Sequence, residues 1–179
     1  MTPQSELQDS FIDFVSKQQF PCICGGNRAE LAFNNIEVLG FGDLTSRHNN
    51  FSLITNLYSF VERVDLNNMK SAAFVAVFEQ SQHLDDSDFN KSVWRKLQEL
   101  QNLVSQSTPR GPHSQSSDCS NNFHFNLDGE PLYITCLSPT SASRNRKFKY
   151  PAIVFNLMPQ FEVPQSFRVV ESHVETHRI

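Results

Sequence analysis

Apolar residues recur at helical spacing near the start of the chain, where Leu7, Phe11, Phe14 and Val15 predict an amphipathic helix over Glu6 to Gln18. Phe20-Pro21 stops it, because a residue before proline avoids the helical region. Cys22-Ile23-Cys24-Gly25-Gly26 then reads as a tight connection, opening toward a short helix over Asn27 to Asn34. Ile36 to Phe41 alternates and predicts a strand. Asp43 or Thr45 is the expected cap of a helix reaching about Val64, with Phe51, Ile54, Leu57, Tyr58, Val61 and Val64 on its buried face. Ala72 to Phe78 is continuously apolar and short, the pattern of a strand covered on both faces. Phe89, Val93, Leu97, Leu100 and Val104, spaced by three or four, give the most regular helix of the chain, from about Ser87 to Val104.

Residues 105–122 are polar and rich in Ser, Pro and Gly, so a long surface loop is expected there. Phe123, Phe125 and Leu127 alternate with His124 and Asn126, and Asp128-Gly129 supplies a two-residue hairpin turn before Glu130 to Leu137. The basic run Arg144-Asn145-Arg146-Lys147-Phe148-Lys149-Tyr150 precedes a last apolar strand, Ala152 to Leu157. Gln160 to Ile179 is a short helix or a loose tail, with 164–179 shorter than expected for the pattern described below. The expected fold is α+β: a single domain spanning 1–179, with a mixed, mostly antiparallel sheet and helices packed on it.

Composition narrows the function classes. A length of 179 residues with 39% hydrophobic content suits one core. With 15 Lys+Arg against 19 Asp+Glu the net charge is -4, so no global field draws the protein to nucleic acid. No apolar run is long enough to span a membrane, and MTPQSELQDSF has neither a basic nor an apolar leader region. A cytoplasmic protein with free thiols is therefore expected. Cys22 and Cys24 form a C-x-C pair, but Cys119 and Cys136 lack the paired spacing of a structural zinc site. Phe numbers 16 against Tyr 3 and Trp 1, which predicts a Phe-rich core or a flat apolar pocket. Signatures of serine hydrolases, P-loop nucleotide hydrolases and zinc proteases are missing from the sequence.

The linear order of several segments carries a family resemblance: Phe20-Pro21-Cys22, Phe74 to Phe78, the helix bearing Trp94, Phe123 to Pro131, Leu137-Ser138-Pro139, Ser143-Arg144, Arg146-Lys147-Phe148, Pro151 to Asn156 and Gln160-Phe161-Glu162. Over about residues 18–163 the chain resembles the YqcI/YcgG family, and looks closest to the branch containing the guanitoxin-pathway N-hydroxylase. The resemblance implies a haem-dependent (heme-dependent) N-oxygenase that uses dioxygen and an external electron donor to hydroxylate a nitrogen of an amino acid or guanidine compound. Three departures accompany it: Ser138 stands where that branch commonly has histidine, Cys119 rather than proline follows Asp118, and the chain ends soon after Glu162. A catalytically degenerate binding module of the same fold, for a small ligand or a protein, is the alternative; a cofactor-free domain whose Phe content is only core packing is a third reading.

That chemistry needs an axial ligand, cations for propionates and an anchor for the substrate. Cys22, between Pro21 and a glycine-bearing turn, is a candidate thiolate ligand, with a buried free cysteine as the plain alternative. His124 alternates with its Phe neighbours and so belongs to the opposite face of its strand, as iron ligand, pocket residue or solvent-facing histidine. Arg144 and Arg146 suit a propionate or an amino-acid carboxylate, against the reading of a solvated basic turn. Glu130 is a candidate contact for a cationic substrate nitrogen, or a partner for one of these arginines across the hairpin.

Overall fold

A computed structural model describes residues 3–17, 35–64, 72–107 and 124–157, with the side chains of Ser107 and His124 outside the description. The proline stop, the Cys22 turn, the short helix of 27–34, most of the 105–122 loop and the final segment all lie outside the described residues.

The first helix, α1, runs Gln4–Lys17 and buries the four predicted residues Leu7, Phe11, Phe14 and Val15. Strand β1 is Ile36–Gly40. Helix α2 is Asn50–Arg63, so it starts later than the capping pattern suggested. Asp43 instead closes a turn, its Oδ1 accepting from the Thr45 amide at 2.8 Å and from the Ser81 hydroxyl at 3.0 Å. The late start also corrects the helix face: Asn50, Leu53, Ile54, Leu57 and Phe60 are buried, while Phe51 is 76% exposed. Asn50 is held by side chains of the next helix, and the residue one step on is rotated by about 100° out of that interface.

Strand β2 is Ala72–Val77, buried at every position, and α3 is Asp86–Ser107, extending past the expected Val104. The hairpin pairs β3, His124–Leu127, with β4, Glu130–Leu137. Its turn residues Asp128 and Gly129 have φ of 52° and 101°, the two positive values that a twisted two-residue hairpin turn demands. A single 3-10 turn, Arg144–Arg146, leads to β5, Ala152–Leu157.

Sheet order is β1-β2-β5-β4-β3, with β1 and β2 parallel and the remaining pairs antiparallel. The protein is an α+β single domain, as the patterning predicted. On one face, α2 and α3 bury Leu53, Leu57, Phe89, Val93 and Leu97 against Phe74, Phe125, Phe155 and Leu132. On the other, Leu7, Phe11 and Phe14 of α1 pack with Phe148 and Tyr150 over Val38, Val75 and Val154. The Phe excess is thus largely core, as in the edge-on contacts of Phe125 with Phe155 and of Phe11 with Phe148, at 5.6 Å between ring centres.

Both edge strands are closed by glutamine amides. Gln8 of α1 donates to the Ile36 carbonyl at 3.0 Å and accepts from the Val38 amide at 3.1 Å. Gln101 of α3 does the same to one residue of β3, donating to the Asn126 carbonyl at 3.1 Å and accepting from its amide at 3.3 Å. Open edges template further strand pairing, and these side chains occupy the groups that pairing needs.

Candidate functional site

Register fixes which residues share a face. On the α1 side, one row across the sheet reads His124, Tyr133, Asn156, Ala73, Ile36. The next row toward the strand ends reads Thr135, Val154, Val75, Val38. The row therefore changes from polar to apolar between β5 and β2. Tyr133 and Thr135 are each 5% exposed and Asn156 is 1% exposed, yet none belongs to either apolar cluster.

These groups are joined by the Asn156 amide, which donates to the Tyr133 carbonyl at 2.9 Å and to the Thr135 hydroxyl oxygen at 3.4 Å. Burial pushes the Tyr133 phenol above its ordinary pKa, so it stays protonated and able to donate through the neutral range. A buried phenol and carboxamide in the histidine row and a hydroxyl in the next row make a hydrogen-bonding surface that carries no charge of its own.

The residues singled out from sequence fall in different places. His124 opens β3 opposite Tyr133, on the polar half of the α1-side face, so its strand register agrees with the alternation argument. Glu130 pairs with Leu127 and shares its face, the α2 and α3 side. It is exposed beside the turn. Arg146 lies beyond the far end of β4, its carbonyl accepting from the Ser138 amide at 3.1 Å. The eight residues of β4 separate the two, roughly 23 Å at strand rise, so the pairing of Glu130 with Arg144 or Arg146 across the hairpin is not made.

Arg144 is exposed and Arg146 half-buried, on a segment whose Phe148 and Tyr150 pack into the α1-side cluster. The arginine turn therefore sits at the rim of the face that bears His124. Five residue steps from Tyr133 in β4 to Ser138, just past its end, place the His124 row and the arginine turn roughly 17 Å apart along the strand. Lys149, from the same basic run, is drawn instead to Glu6 at 3.9 Å and over the Tyr150 ring at 4.8 Å. Cys22 lies outside the described residues. Ser138 is buried, its hydroxyl 2.7 Å from Thr140 Oγ1, which donates to Asp86 at 2.8 Å.

Lys96 was not foreseen. It is 1% exposed and donates from Nζ to the Ser46 carbonyl and to Asn50 Oδ1, at 2.5 and 2.6 Å. Burial lowers its pKa, against the upward pull of Glu99 and Asp43. Glu99 accepts from Asn50 at 2.9 Å and Arg47 at 2.7 Å. Burial raises the Glu99 pKa, but these bonds and the Arg47 and Lys96 charges outweigh it and leave the pKa below the ordinary value. The network fixes the 43–49 turn and the start of α2 to α3.

Signals for the missed residues were present. Lys96 stands three after Val93 and four before Leu100, on the buried stripe of its helix. Tyr133 and Thr135 alternate with Leu132, Ile134 and Cys136, and Asn156 interrupts an otherwise apolar strand. Among the described residues no three of His, Cys, Asp and Glu gather as metal ligands. A porphyrin brings four nitrogens of its own and asks the protein for an axial side chain, so the lack of such a cluster bears neither for nor against that group. Among the described residues no helix is long and apolar enough to cross a membrane.

The model of the YqcI/YcgG family matches residues 11–175. No curated protein and no solved structure matches the chain.

Proposed function

The chain belongs to the YqcI/YcgG family, and on that premise we propose that it is a haem-dependent N-oxygenase acting on a nitrogen of an amino acid or guanidine compound. The observation that carries the reading is the match across residues 11–175, joined to the likeness of the segments from Phe20 to Glu162 to haem N-oxygenases. The register of His124 beside Tyr133, Thr135 and Asn156 is the arrangement from which the roles below are argued.

Haem, when bound, supplies dioxygen activation with electrons from an external donor. Cys22 would hold the iron in this reading, with His124 as the alternative ligand or as a residue beside the reacting nitrogen. The buried surface of Tyr133, Thr135 and Asn156 keeps bulk water from the reacting nitrogen and offers it neutral hydrogen-bonding partners. Arg144 and Arg146 hold carboxylates at the rim, those of a propionate or of an amino-acid substrate. Glu130, on the opposite face, has no part in this arrangement.

A non-catalytic binding module is favoured by one observation. Ser138, where the branch commonly has histidine, is tied into hydrogen bonds with Thr140 and holds the end of β4. Titrating the purified protein with hemin and following the intense haem band, then incubating it with reductant, dioxygen and arginine or lysine under mass spectrometry, separates the readings. One-to-one haem with a product heavier by one oxygen atom is the expected result; full haem without product favours the binding module, and no haem refutes both haem readings. Of His124→Ala and Cys22→Ala, the one that shifts the haem band identifies the ligand.

A further inference from the structure

Lys147 and Lys149 have no part in the arrangement above, yet they complete a concentrated positive patch. In a chain of net charge -4, Arg144, Arg146, Lys147 and Lys149 place four cations within six residues. The backbone that carries them is already ordered. The Arg146 and Lys147 amides donate to the Ser143 and Arg144 carbonyls at 3.0 and 3.2 Å, and the Arg146 carbonyl accepts from Ser138 at 3.1 Å and Phe148 at 3.0 Å. Phe148 and Tyr150 anchor the segment in the α1-side core, while Lys147 and Lys149, which alternate with them, are exposed. Lys17, Arg47, Arg63 and Lys91 each reach a carboxylate within 3.4 Å. Among the described residues Arg144 and Lys147 have no ion pair, and Lys149 reaches Glu6 at 3.9 Å. Beside the patch runs α1, with Glu6, Asp9 and Asp13 exposed, so the positive area is one turn wide. A nucleic acid or an anionic membrane lying across this face meets those carboxylates too, and like charges brought together cost affinity; a compact partner with a small acidic patch avoids them.

We propose that the turn of residues 144–149, through Lys147 and Lys149, is the docking face for an acidic electron-donor protein carrying a flavin or an iron–sulfur centre. The proposal rests on the haem reading above and deepens it by naming the kind of donor and where it binds. Hydroxylating a nitrogen takes two electrons and two protons: one atom of dioxygen enters the N–H bond, the other leaves as water, and the donor is oxidised by the same two electrons. The donor therefore has to bind and leave in every turnover. Encounters of that kind are among the smallest specific interfaces, about 1,200 Å² of buried surface or less, and take their orientation and rate from charge. A single rigid basic turn suits them, because its backbone loses no further freedom when the partner arrives. Where Arg144 and Arg146 hold propionates, a donor on Lys147 and Lys149 stands at the edge of the cofactor.

The test uses the full chain loaded with hemin, with an acidic flavodoxin and an acidic plant-type ferredoxin as probes. Their Kd is measured by calorimetry, and hemin uptake and far-ultraviolet circular dichroism are followed in parallel. Lys147→Glu reverses an exposed charge of the turn and Lys149→Gln removes a second. Arg95→Glu makes the same charge change at an exposed position of α3, across the sheet. The expected result is a Kd for one of the probes that weakens as salt rises, is raised about three- to tenfold in Lys147→Glu and less in Lys149→Gln, and stays within about twofold in Arg95→Glu, with equal hemin uptake throughout. Hemin-loaded wild type that binds neither probe, or a Kd raised no more in Lys147→Glu than in Arg95→Glu, overturns the docking face and leaves the haem reading standing. So does binding to duplex DNA or to phosphatidylserine vesicles in place of both probes. Wild-type protein that takes up no hemin overturns both.

Discussion

Replacing Lys96 with methionine removes a buried ammonium while keeping the unbranched stem. Two hydrogen bonds from a charged donor disappear, and each such bond contributes about 1.5–3 kcal/mol. The Ser46 carbonyl and Asn50 Oδ1 lose their donor. Relief from burying the charge offsets part of this, by several kcal/mol. Glu99 keeps Arg47 and Asn50, so no carboxylate is stranded. The balance is a net loss of about 3 kcal/mol, near the lower end of what breaking a buried charge network costs. Urea unfolding followed by circular dichroism measures it, with an unchanged slope showing that the native and unfolded states are otherwise comparable. A second axis is pH. The folded-state pKa of Lys96 lies below its unfolded value of 10.5, so between the two the unfolded chain binds more protons and wild-type stability rises with pH. The variant lacks that increment. A loss under about 1 kcal/mol, or curves that stay parallel through the alkaline window, refutes the assignment of Lys96 as the pin between α3 and the 43–49 turn.

Acid should act on the carboxylates of the same region. Glu99 and Asp43 have folded pKa values below the ordinary ones, Asp43 because bonds from Thr45 and Ser81 and the His83 charge outweigh burial. Their contribution is present above the unfolded values of 4.5 and 3.8 and fades as pH falls through the lower folded ones, and Glu99→Gln should flatten that acid limb in a stability titration. Gln8→Ala and Gln101→Ala each remove two edge hydrogen bonds, with an expected loss of about 1–3 kcal/mol and light-scattering aggregation that rises with concentration. Variants that stay monomeric at high concentration would show that the edges are protected by other means. Gly129→Ala forces a side chain into φ of 101° and should lower the unfolding midpoint, with a loss of about 1–3 kcal/mol by denaturant titration.

The elements legible in the sequence are those whose pattern has a single cause. The stripe of Leu7, Phe11, Phe14 and Val15 and the doubly buried run Ala72 to Val77 answer only to burial, and both came out as read. Asp128-Gly129 answers only to backbone twist. The start of α2 has two causes in competition. Asp43 and Thr45 have capping chemistry, but a long-range bond from Ser81 draws Asp43 into a turn, and Lys96 holds Asn50. No local window contains either partner. Site residues divide in the same way: alternation alone assigns His124 its face, whereas the separation of Glu130 from Arg146 depends on which strand end each occupies.

Why one half-face is polar follows from how many helices cover the sheet. Five strands at about 4.8 Å spacing make a sheet roughly 19 Å across, and a helix with its side chains is about 10–12 Å wide. On one side α2 and α3 together match that width, and the residues they cover are apolar from β2 to β3. On the other side α1 is, among the described residues, the one helix on the sheet and spans about half of it, anchored at the β1 edge by Gln8. Phe148 and Tyr150 extend the apolar cover over β5 and the end of β4. Beyond α1 and these two rings lie Tyr133, Thr135 and Asn156, buried as well, where the sequence places hydrogen-bonding side chains instead of Val or Leu. Filling this half-face with apolar residues should be tolerated by the core and harmful only to binding. Thr135→Val is the direct form of that contrast: unfolding stability within about 1 kcal/mol of wild type, with hemin affinity reduced, is the outcome that marks the half-face as kept for function.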